Sequence, residues 1–339
     1  SKKILLNSAY GALANQHFRY YSLELAEGIT TAGQLAIRWI DKRINTYIND
    51  LLHTEDVDYV VASDTDSIYV TFNKLVSEVF KDTTDINDTS KIITFLDKIS
   101  KDKIEPFINR SYEDLHSYVN SYAQKMHMGR EVIADKGIWT AKKRYILNVY
   151  DSEGVKYKEP KLKIMGIESV RSSTPEWCRD KIKELIKTII NTDEDTVIKN
   201  IADYREAFNH LSFEQIAFPR SVNGIEKYTS TKSIYNKGTP IHVRGVLLYN
   251  HMLRKHKLTK KYQSIREGEK VKFAYLKEPN TLHENVISVA THLPEEFALE
   301  KYIDYDLQFD KAFLQPIKNI LNVLGWESEK RGSLESFFG

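Results

Sequence analysis

Apolar residues at Ile37, Ile40, Ile44, Ile48 and Leu51 recur every three or four positions, which predicts a long amphipathic helix with one buried stripe. The chain opens in another helical pattern, Lys3-Ile4-Leu5-Leu6-Asn7-Ser8-Ala9-Tyr10-Gly11, in which Gly11 suits a helix stop or a close backbone approach. The period then changes. Tyr59-Val60-Val61-Ala62 and Ile68-Tyr69-Val70-Thr71-Phe72 read as two strands joined tightly through Asp64-Thr65-Asp66. Residues 74–125 are helical in pattern, with a break near Asp82-Thr83-Thr84-Asp85. Strands are predicted at 137–141, 145–150 and 161–167, the last two separated by a turn at Asp151-Ser152-Glu153-Gly154. Helical periodicity dominates from Thr174-Pro175 to about Leu211, with Pro175 suited to a first helical turn. Residues 218–277 are mixed and rich in basic and aromatic positions. A last helix is predicted near 310–324, followed by a short tail at 333–339.

This succession predicts an α+β fold: an antiparallel-sheet unit with flanking helices to about residue 168, then a mainly helical unit. A chain of 339 residues exceeds the usual single-domain size, so two packed units are expected. A hydrophobic fraction of 41% with 28% charged residues is ordinary for a globular protein. There is no run of eighteen or more apolar residues and no charged-then-apolar leader, which predicts neither membrane insertion nor secretion. The single cysteine, Cys178, has no internal disulfide partner; a structural role in a reducing compartment is expected.

The net charge of +2 is uninformative, but its distribution is not. Residues 55–104 carry 11 acids against 6 bases, whereas residues 122–183 carry 14 bases against 8 acids. Residues 242–272 hold 9 bases against 2 acids, and residues 291–329 turn acidic again, with 8 acids against 3 bases. Such segregation suits one face built for a polyanion and another for a cation or solvent.

Three patterns carry candidate chemistry. Asp64 and Asp66 at the tip of a core hairpin would be costly unless a cation neutralised them, and oxygen ligands suit a hard divalent ion. A bare Asp-x-Asp is also a common turn. Lys3, Asn7 and Tyr10 are spaced i, i+4, i+7 and share one helical face, a surface suited to a triphosphate and a base; the same spacing suits a solvated face. Lys142-Lys143-Arg144-Tyr145 leads into an apolar strand. Strand alternation would point Lys142 and Arg144 together, with Lys143 and Tyr145 on the opposite side, ready to grip phosphates or simply to face water.

The order of these motifs, Lys-x-x-x-Asn-Ser-x-Tyr-Gly, then Asp-Thr-Asp-Ser, then Lys-Lys-Arg-Tyr, resembles the family B DNA polymerases, and most nearly their T-even-type bacteriophage branch. His17-Phe18-Arg19-Tyr20-Tyr21, Leu162-Lys163-Ile164-Met165-Gly166, Ser172-Ser173-Thr174-Pro175 and Arg244-Gly245-Val246-Leu247 read like that branch too. The resemblance implies that residues 1–16 are the second fingers helix, 17–168 the palm, 169–332 the thumb and 333–339 a clamp-binding tail. It implies that Lys3 contacts an incoming deoxynucleoside triphosphate while Asn7, Ser8, Tyr10 and Gly11 line the nascent base pair. Asp66 would be a direct metal ligand, Asp64 a supporting catalytic carboxylate and Glu131, after Met128-Gly129-Arg130, a further one, around two Mg2+ ions about 4 Å apart. Lys142, Lys143, Arg144 and Tyr145, with Lys227, His242 and Arg244, would hold primer–template DNA. Leu334, Phe337 and Phe338 fall at i, i+3, i+4, so one helical turn would present all three to a ring-shaped sliding clamp.

One departure shapes the expected function. The family takes a second catalytic aspartate from an Asp-x-x-Ser-Leu-Tyr-Pro-type motif preceding the Lys3 motif, and these residues contain no such motif. The expectation is a polymerase chain of the host cytoplasm, from a split gene or a longer product. An N-terminal polymerase/exonuclease partner chain would complete its site. A non-catalytic DNA- and clamp-binding processivity subunit is the alternative. A glycosyltransferase holding a sugar nucleotide through Asp-x-Asp shares the metal logic, but explains neither the Lys3–Gly11 motif nor the basic segment.

Overall fold

A computed structural model describes residues 2–81, 88–167 and 171–330. The chain divides into two compact units, residues 1–135 with 149–161, and residues 136–148 with 162–339. The expected α+β class is observed, with small antiparallel sheets among the helices. No helix among the described residues is long and apolar enough to cross a membrane.

The first unit is organised by a thirty-residue helix. Helix α1 (Lys2–Leu13) continues two residues past Gly11, so the glycine is not the stop expected from its position. Helix α2 (Leu23–Leu52) begins where the Ser22 hydroxyl accepts the Leu25 N–H, and ends at His53 in the left-handed conformation (φ 51°). Its buried stripe is Ala36, Ile40, Ile44 and Ile48, every fourth residue. Leu51, expected in that stripe, is 47% exposed because it falls outside this four-residue spacing.

Strands β1 (Val60–Asp64) and β2 (Ser67–Val70) follow, then α3 (Asn73–Phe80) and α4 (Thr89–Ile99). A π-helical turn at Ser100–Ile104 leads into α5 (Glu105–Val119). Helix α5 packs along α2 in the antiparallel sense. Tyr47 stacks on Phe107 (4.2 Å between ring centres), Trp39 stacks on Tyr118 (5.8 Å), and the Trp39 indole N–H donates to the Ser111 carbonyl at 2.8 Å. Ile104, Ile108, Tyr112 and Leu115 close this core.

Strands β3 (Val132–Ala141), β4 (Arg144–Ser152) and β5 (Val155–Met165) form a sheet in that order. Two-residue turns join them at Lys142-Lys143 and Glu153-Gly154. Glu153 (φ 51°) and Gly154 (φ 90°) both take positive φ, the conformation that suits the right-handed twist of a tight hairpin.

The second unit holds the larger core. Helices α6 (Glu176–Asn191) and α7 (Glu194–Phe208), the short α8 (Phe213–Ile216), β6 (Phe218–Ser221), the short α9 (Ile225–Tyr228), α10 (Ile241–Lys255), β7 (Lys270–Tyr275), β8 (Val286–Val289), α11 (Tyr305–Phe309) and α12 (Gln315–Leu324) complete the order. Pro175 is the N-cap of α6 rather than a residue of its first turn. Cys178, Ile182, Leu185, Ile186 and Ile189 belong to the buried stripe of α6; Phe309 stacks on Phe313 (4.9 Å between ring centres) and meets Phe208 edge-on (5.2 Å). All four residues of β8 are buried, and α10 lies so close that a Cβ on Gly245 would sit 2.4 Å from the Ser288 Oγ. The buried Gln308 satisfies both ends of its amide, donating to the Ile216 carbonyl (2.7 Å) and accepting the Tyr275 N–H (3.2 Å). Burial pushes the Cys178 thiol up to about 12, which leaves it inert, as a structural residue should be.

Candidate functional site

The aspartate hairpin is fastened at its root by two asparagines of α2. Asn45 Oδ1 accepts the backbone N–H groups of Tyr59 (2.7 Å) and Val60 (3.1 Å), while its Nδ2 donates to Asp58 (2.9 Å) and Asp41 (3.2 Å). One turn on, Asn49 donates to the Val57 carbonyl (2.8 Å) and accepts the Val57 N–H (3.1 Å) and the Thr54 hydroxyl (2.7 Å). Burial, with Asp58 nearby, raises the Asp41 carboxyl above its ordinary range. Neither asparagine stood out in the sequence, because a polar residue on an amphipathic helix reads as part of its wet face.

From this root β1 and β2 run antiparallel, Val60 opposite Val70 and Asp64 opposite Ser67, with an irregularity between Val60 and Ala62. The turn is Thr65-Asp66. Thr65 takes φ 55°, a left-handed conformation that a β-branched side chain adopts at a cost of roughly 1–3 kcal/mol. The tip is tied by the Asp66 N–H to the Asp64 carbonyl (2.7 Å), the Thr65 hydroxyl to Asp64 Oδ1 (3.0 Å) and the Ser67 hydroxyl to the Asp64 carbonyl (3.2 Å). The expected core hairpin is present at its root, where Tyr59 and Val60 are buried and Ile68, Val70 and Phe72 pack beside them, but the tip leaves that core: Asp64 is half-buried, and Thr65 and Asp66 are exposed. The Asp66 side chain is therefore open to solvent and accessible to a cation.

The other expected site residues of this unit are arranged more loosely. Ser8, Tyr10 and Gly11 lie on α1; Tyr10 is 45% exposed, and the Ser8 hydroxyl donates to the Ile4 carbonyl of its own helix (2.7 Å). Lys3 and Asn7 belong to the same helix, but their side chains lie outside what the structure describes. Glu131 is exposed just before β3, and its carbonyl accepts the Glu153 N–H at 2.7 Å. Among the described residues no three His, Cys, Asp or Glu side chains converge to hold a metal ion, so Glu131 does not join Asp64 and Asp66 in a three-ligand group.

In the second unit the basic segment differs from its expected form. Lys142 and Lys143 are the β3–β4 turn, not strand residues, and both are exposed. Strand alternation therefore does not govern them; Lys143 takes φ 62°, and only Arg144 and Tyr145 enter β4. Tyr145 is 8% exposed beside Trp139, so its ring is packed rather than presented with Lys143. The turn rests on Gly166. A Cβ there would lie 2.3 Å from the Lys143 carbonyl oxygen, the residue's φ is 67°, and its own carbonyl accepts Arg144 Nε–H (3.1 Å) and Arg171 (3.2 Å). Gly166 thus positions the basic turn, a role that the sequence motif alone did not assign.

The remaining cationic positions surround α10. Lys227 is exposed with its ammonium 5.3 Å from the centre of the Tyr228 ring. Arg244 pairs with the Asn285 side chain and lies 5.7 Å from the Tyr235 ring centre. Burial, helped by the Arg220 guanidinium, lowers His242 below its ordinary value, so at pH 7 it is a neutral hydrogen-bonding group rather than a cation. Leu334, Phe337 and Phe338 lie outside the described residues.

A family model described as Divergent Family B DNA polymerase matches residues 45–206, a stretch that runs from Asn45 through the hairpin, Glu131 and the basic turn. Over its whole length the chain is 36% identical to the DNA-directed DNA polymerase of Enterobacteria phage T4, matching the C-terminal part of that protein. The chain is similar over its whole length to family B DNA polymerases. It is likewise 36% identical to the DNA-directed DNA polymerase of Escherichia phage RB69, and it spans 38% of the length of each phage relative. A DNA polymerase of Choristoneura biennis entomopoxvirus is 26% identical over 161 residues, 39% of this chain and 16% of that protein.

The hairpin root can be tested directly. Asn45→Ala leaves the Tyr59 N–H without its acceptor and the Val60 N–H with Asp58 Oδ1 alone (3.1 Å), at a cost of about 1–3 kcal/mol. Hydrogen exchange should accelerate across β1 and β2 while β7 and β8 stay protected. Unchanged exchange at residues 59–70 would show that the asparagine does not hold the hairpin.

Proposed function

We propose that this chain supplies the fingers-helix, palm and thumb part of a DNA-templated DNA polymerase, in which the Asp64-Thr65-Asp66 tip is the metal-holding element. The observation that carries this is the exposed, backbone-tied position of Asp66 at the end of a sutured hairpin, in a chain similar to this family. Carboxylate oxygens suit Mg2+, and a bound pair of such ions would activate a primer 3′-hydroxyl and neutralise the leaving pyrophosphate. Asp66 would be a direct ligand and Asp64, partly engaged with Thr65, a supporting one, with Glu131 a further carboxylate close to the site rather than a third ligand grouped with them. Two hairpin carboxylates do not make a full ligand set for two ions. Water and the nucleotide's phosphates would fill some of the remaining positions, and a further carboxylate would be supplied by an N-terminal polymerase segment, on the same polypeptide or on a partner chain.

The other groups have roles that need no metal. On α1, Lys3, Asn7, Ser8, Tyr10 and Gly11 would meet the incoming nucleotide, the exposed Tyr10 ring stacking on base or sugar. Lys142 and Lys143, held out on a tight turn, would bind backbone phosphates, with Arg144 beside them, and Lys227 and Arg244 would extend that track along the duplex. His242, being neutral, would contribute a hydrogen bond only. The tail with Leu334, Phe337 and Phe338 would dock on a sliding clamp, the two rings and a leucine filling an apolar groove. A processivity subunit with structural aspartates would keep the DNA and clamp contacts but lose the chemistry.

The polymerase reading makes three measurable claims. In the completed enzyme, Asp66→Ala should lower nucleotide incorporation by more than about a hundredfold, with Asp64→Ala milder and duplex affinity nearly unchanged; retention of a tenth of the wild-type rate would favour the non-catalytic reading. Lys143→Ala with Arg144→Ala should reduce the slope of log affinity against log salt by up to about 2, equally for all duplex sequences, since each phosphate contact contributes about 0.9. An intact slope would return these residues to a merely solvated turn. Removing residues 333–339 should leave single-nucleotide addition intact yet abolish the gain in product length on adding clamp and loader; survival of that gain would rule out the tail as the clamp contact.

A further inference from the structure

One face of α7 is open where the chain's C-terminal segment crosses it. Asp195, Ile198, Lys199, Ala202 and Arg205 share that face at helical spacing and line a groove of about 980 Å3, with Ile201, 1% exposed, at its floor. The remaining wall is Ser328, Glu329 and Lys330. A series of bonds lays this wall down. Helix α12 stops at Gly325 (φ 71°), and the Trp326 N–H donates to the Leu321 carbonyl at 3.0 Å. The Glu327 N–H donates to Glu194 Oε1 at 2.6 Å, Glu329 pairs with Arg205 at 2.6 Å, and Lys330 reaches Asp195 at 3.4 Å.

Exposed ion pairs of this kind contribute little stability in water. Their effect is on direction. Asp195 lies in the first turn of α7 and Arg205 in the last, so the two pairs hold residues 329 and 330 across the helix and deliver the next residue to the groove. Nine residues follow, Arg-Gly-Ser-Leu-Glu-Ser-Phe-Phe-Gly. Extended, they reach about 30 Å, and the fifteen residues of α7 span about 22 Å, so the whole groove is within reach. A tether this short keeps the segment at a local concentration in the millimolar range, at which even a weak site fills. Leu334, Phe337 and Phe338 are apolar, and Ile198, Ile201 and Ala202 offer apolar surface next to the anchor point. Lys199 is an exposed cation on the same face with no carboxylate partner among the described residues, and Glu335 is the one acid of the nine.

We propose that the α7 groove is the resting dock of residues 331–339, with Leu334, Phe337 and Phe338 against Ile198, Ile201 and Ala202, and Glu335 on Lys199. The protein thereby covers its own apolar tail, and a partner that takes the tail must first draw it out. Its apparent affinity falls by the fraction of tails that are free. The dock stands on the groove alone; competition with a sliding clamp rests on the reading of the tail as the clamp contact.

Disulfide trapping in the completed polymerase tests both. Ser336→Cys with Ala202→Cys puts one thiol on the tail and one in the groove. The native Cys178 is fully buried with its thiol pushed up to about 12, so it stays out of the exchange. Asp203→Cys in place of Ala202→Cys is the control, an exposed position on the same helix turned about 100° away. With oxidised glutathione the Ala202→Cys pair should close at least about tenfold faster than the Asp203→Cys pair. Adding Phe337→Ser and Phe338→Ser should bring the two rates together. Equal rates with the native rings would overturn the dock, whatever the clamp does, and a preference that survives loss of both rings would overturn their placement in the groove. The Ser336–Ala202 locked enzyme should keep single-nucleotide addition, lose the gain in product length from clamp and loader, and recover it on reduction with dithiothreitol. A locked enzyme that keeps the gain would overturn the clamp reading and the competition, and leave the dock in place.

Discussion

A two-stranded hairpin is marginal in water by itself, and the hairpin that carries Asp64 and Asp66 has only its own two strands in its sheet. Its geometry depends on amide side chains rather than on a sheet. Asn45 accepts two successive backbone N–H groups at the first strand, and Asn49 holds both backbone groups of Val57 just before it. Those asparagines are fixed in turn because the adjoining stripe of Ile40, Ile44 and Ile48 is buried in one cluster with residues of α5 and with Tyr59 and Val60 at the hairpin's root. The order of dependence therefore runs from an apolar stripe, to two amides, to a backbone, to a pair of carboxylates. Loss at any earlier step moves the last one.

Much of this was legible in the sequence where one physical rule dominated. The four-residue spacing of isoleucines could only be a helix face, and Asp-Thr-Asp between β-branched runs could only be a tight connection. Where two rules competed, the reading went astray. Lys142 and Lys143 precede an apolar run whose alternation would set their directions, but a two-residue link between antiparallel strands must turn, and the turn prevails. Tyr145 obeys strand alternation and is buried by it, on the side of Trp139. Asn45 and Asn49 were invisible because polarity at a helix surface does not tell a solvated side chain from one that bonds to a distant backbone. Gly166 was read only as part of a motif, since nothing local reveals that the Lys143 carbonyl lies 2.3 Å from where its Cβ would be.

Charge is handled in two opposite ways within the first unit. Asp151 is fully buried and therefore must have Arg130; Asp97, less buried, is held below the usual carboxylate range by Lys101 and then by Arg130. These acids are committed to one partner and one geometry. Asp66 is exposed, and its fixed position comes from backbone bonds rather than from a counter-charge. An acid meant to exchange ligands cannot be buried with a permanent cation, because the cation would compete for the same oxygens.

That contrast bears on what a two-residue tip can do. Exposed carboxylates bind a divalent ion weakly one at a time, because water competes for every coordination position. Affinity rises when several oxygens are fixed in advance, so that the ordering cost is met in folding rather than in binding. The Asp64–Thr65 bond holds one carboxylate in this sense, and the strained Thr65 with the asparagine suture fixes the backbone that carries both Asp64 and Asp66. In the proposed polymerase the hairpin would be one rigid portion of a ligand set, and further ligands would be needed before an ion is held tightly.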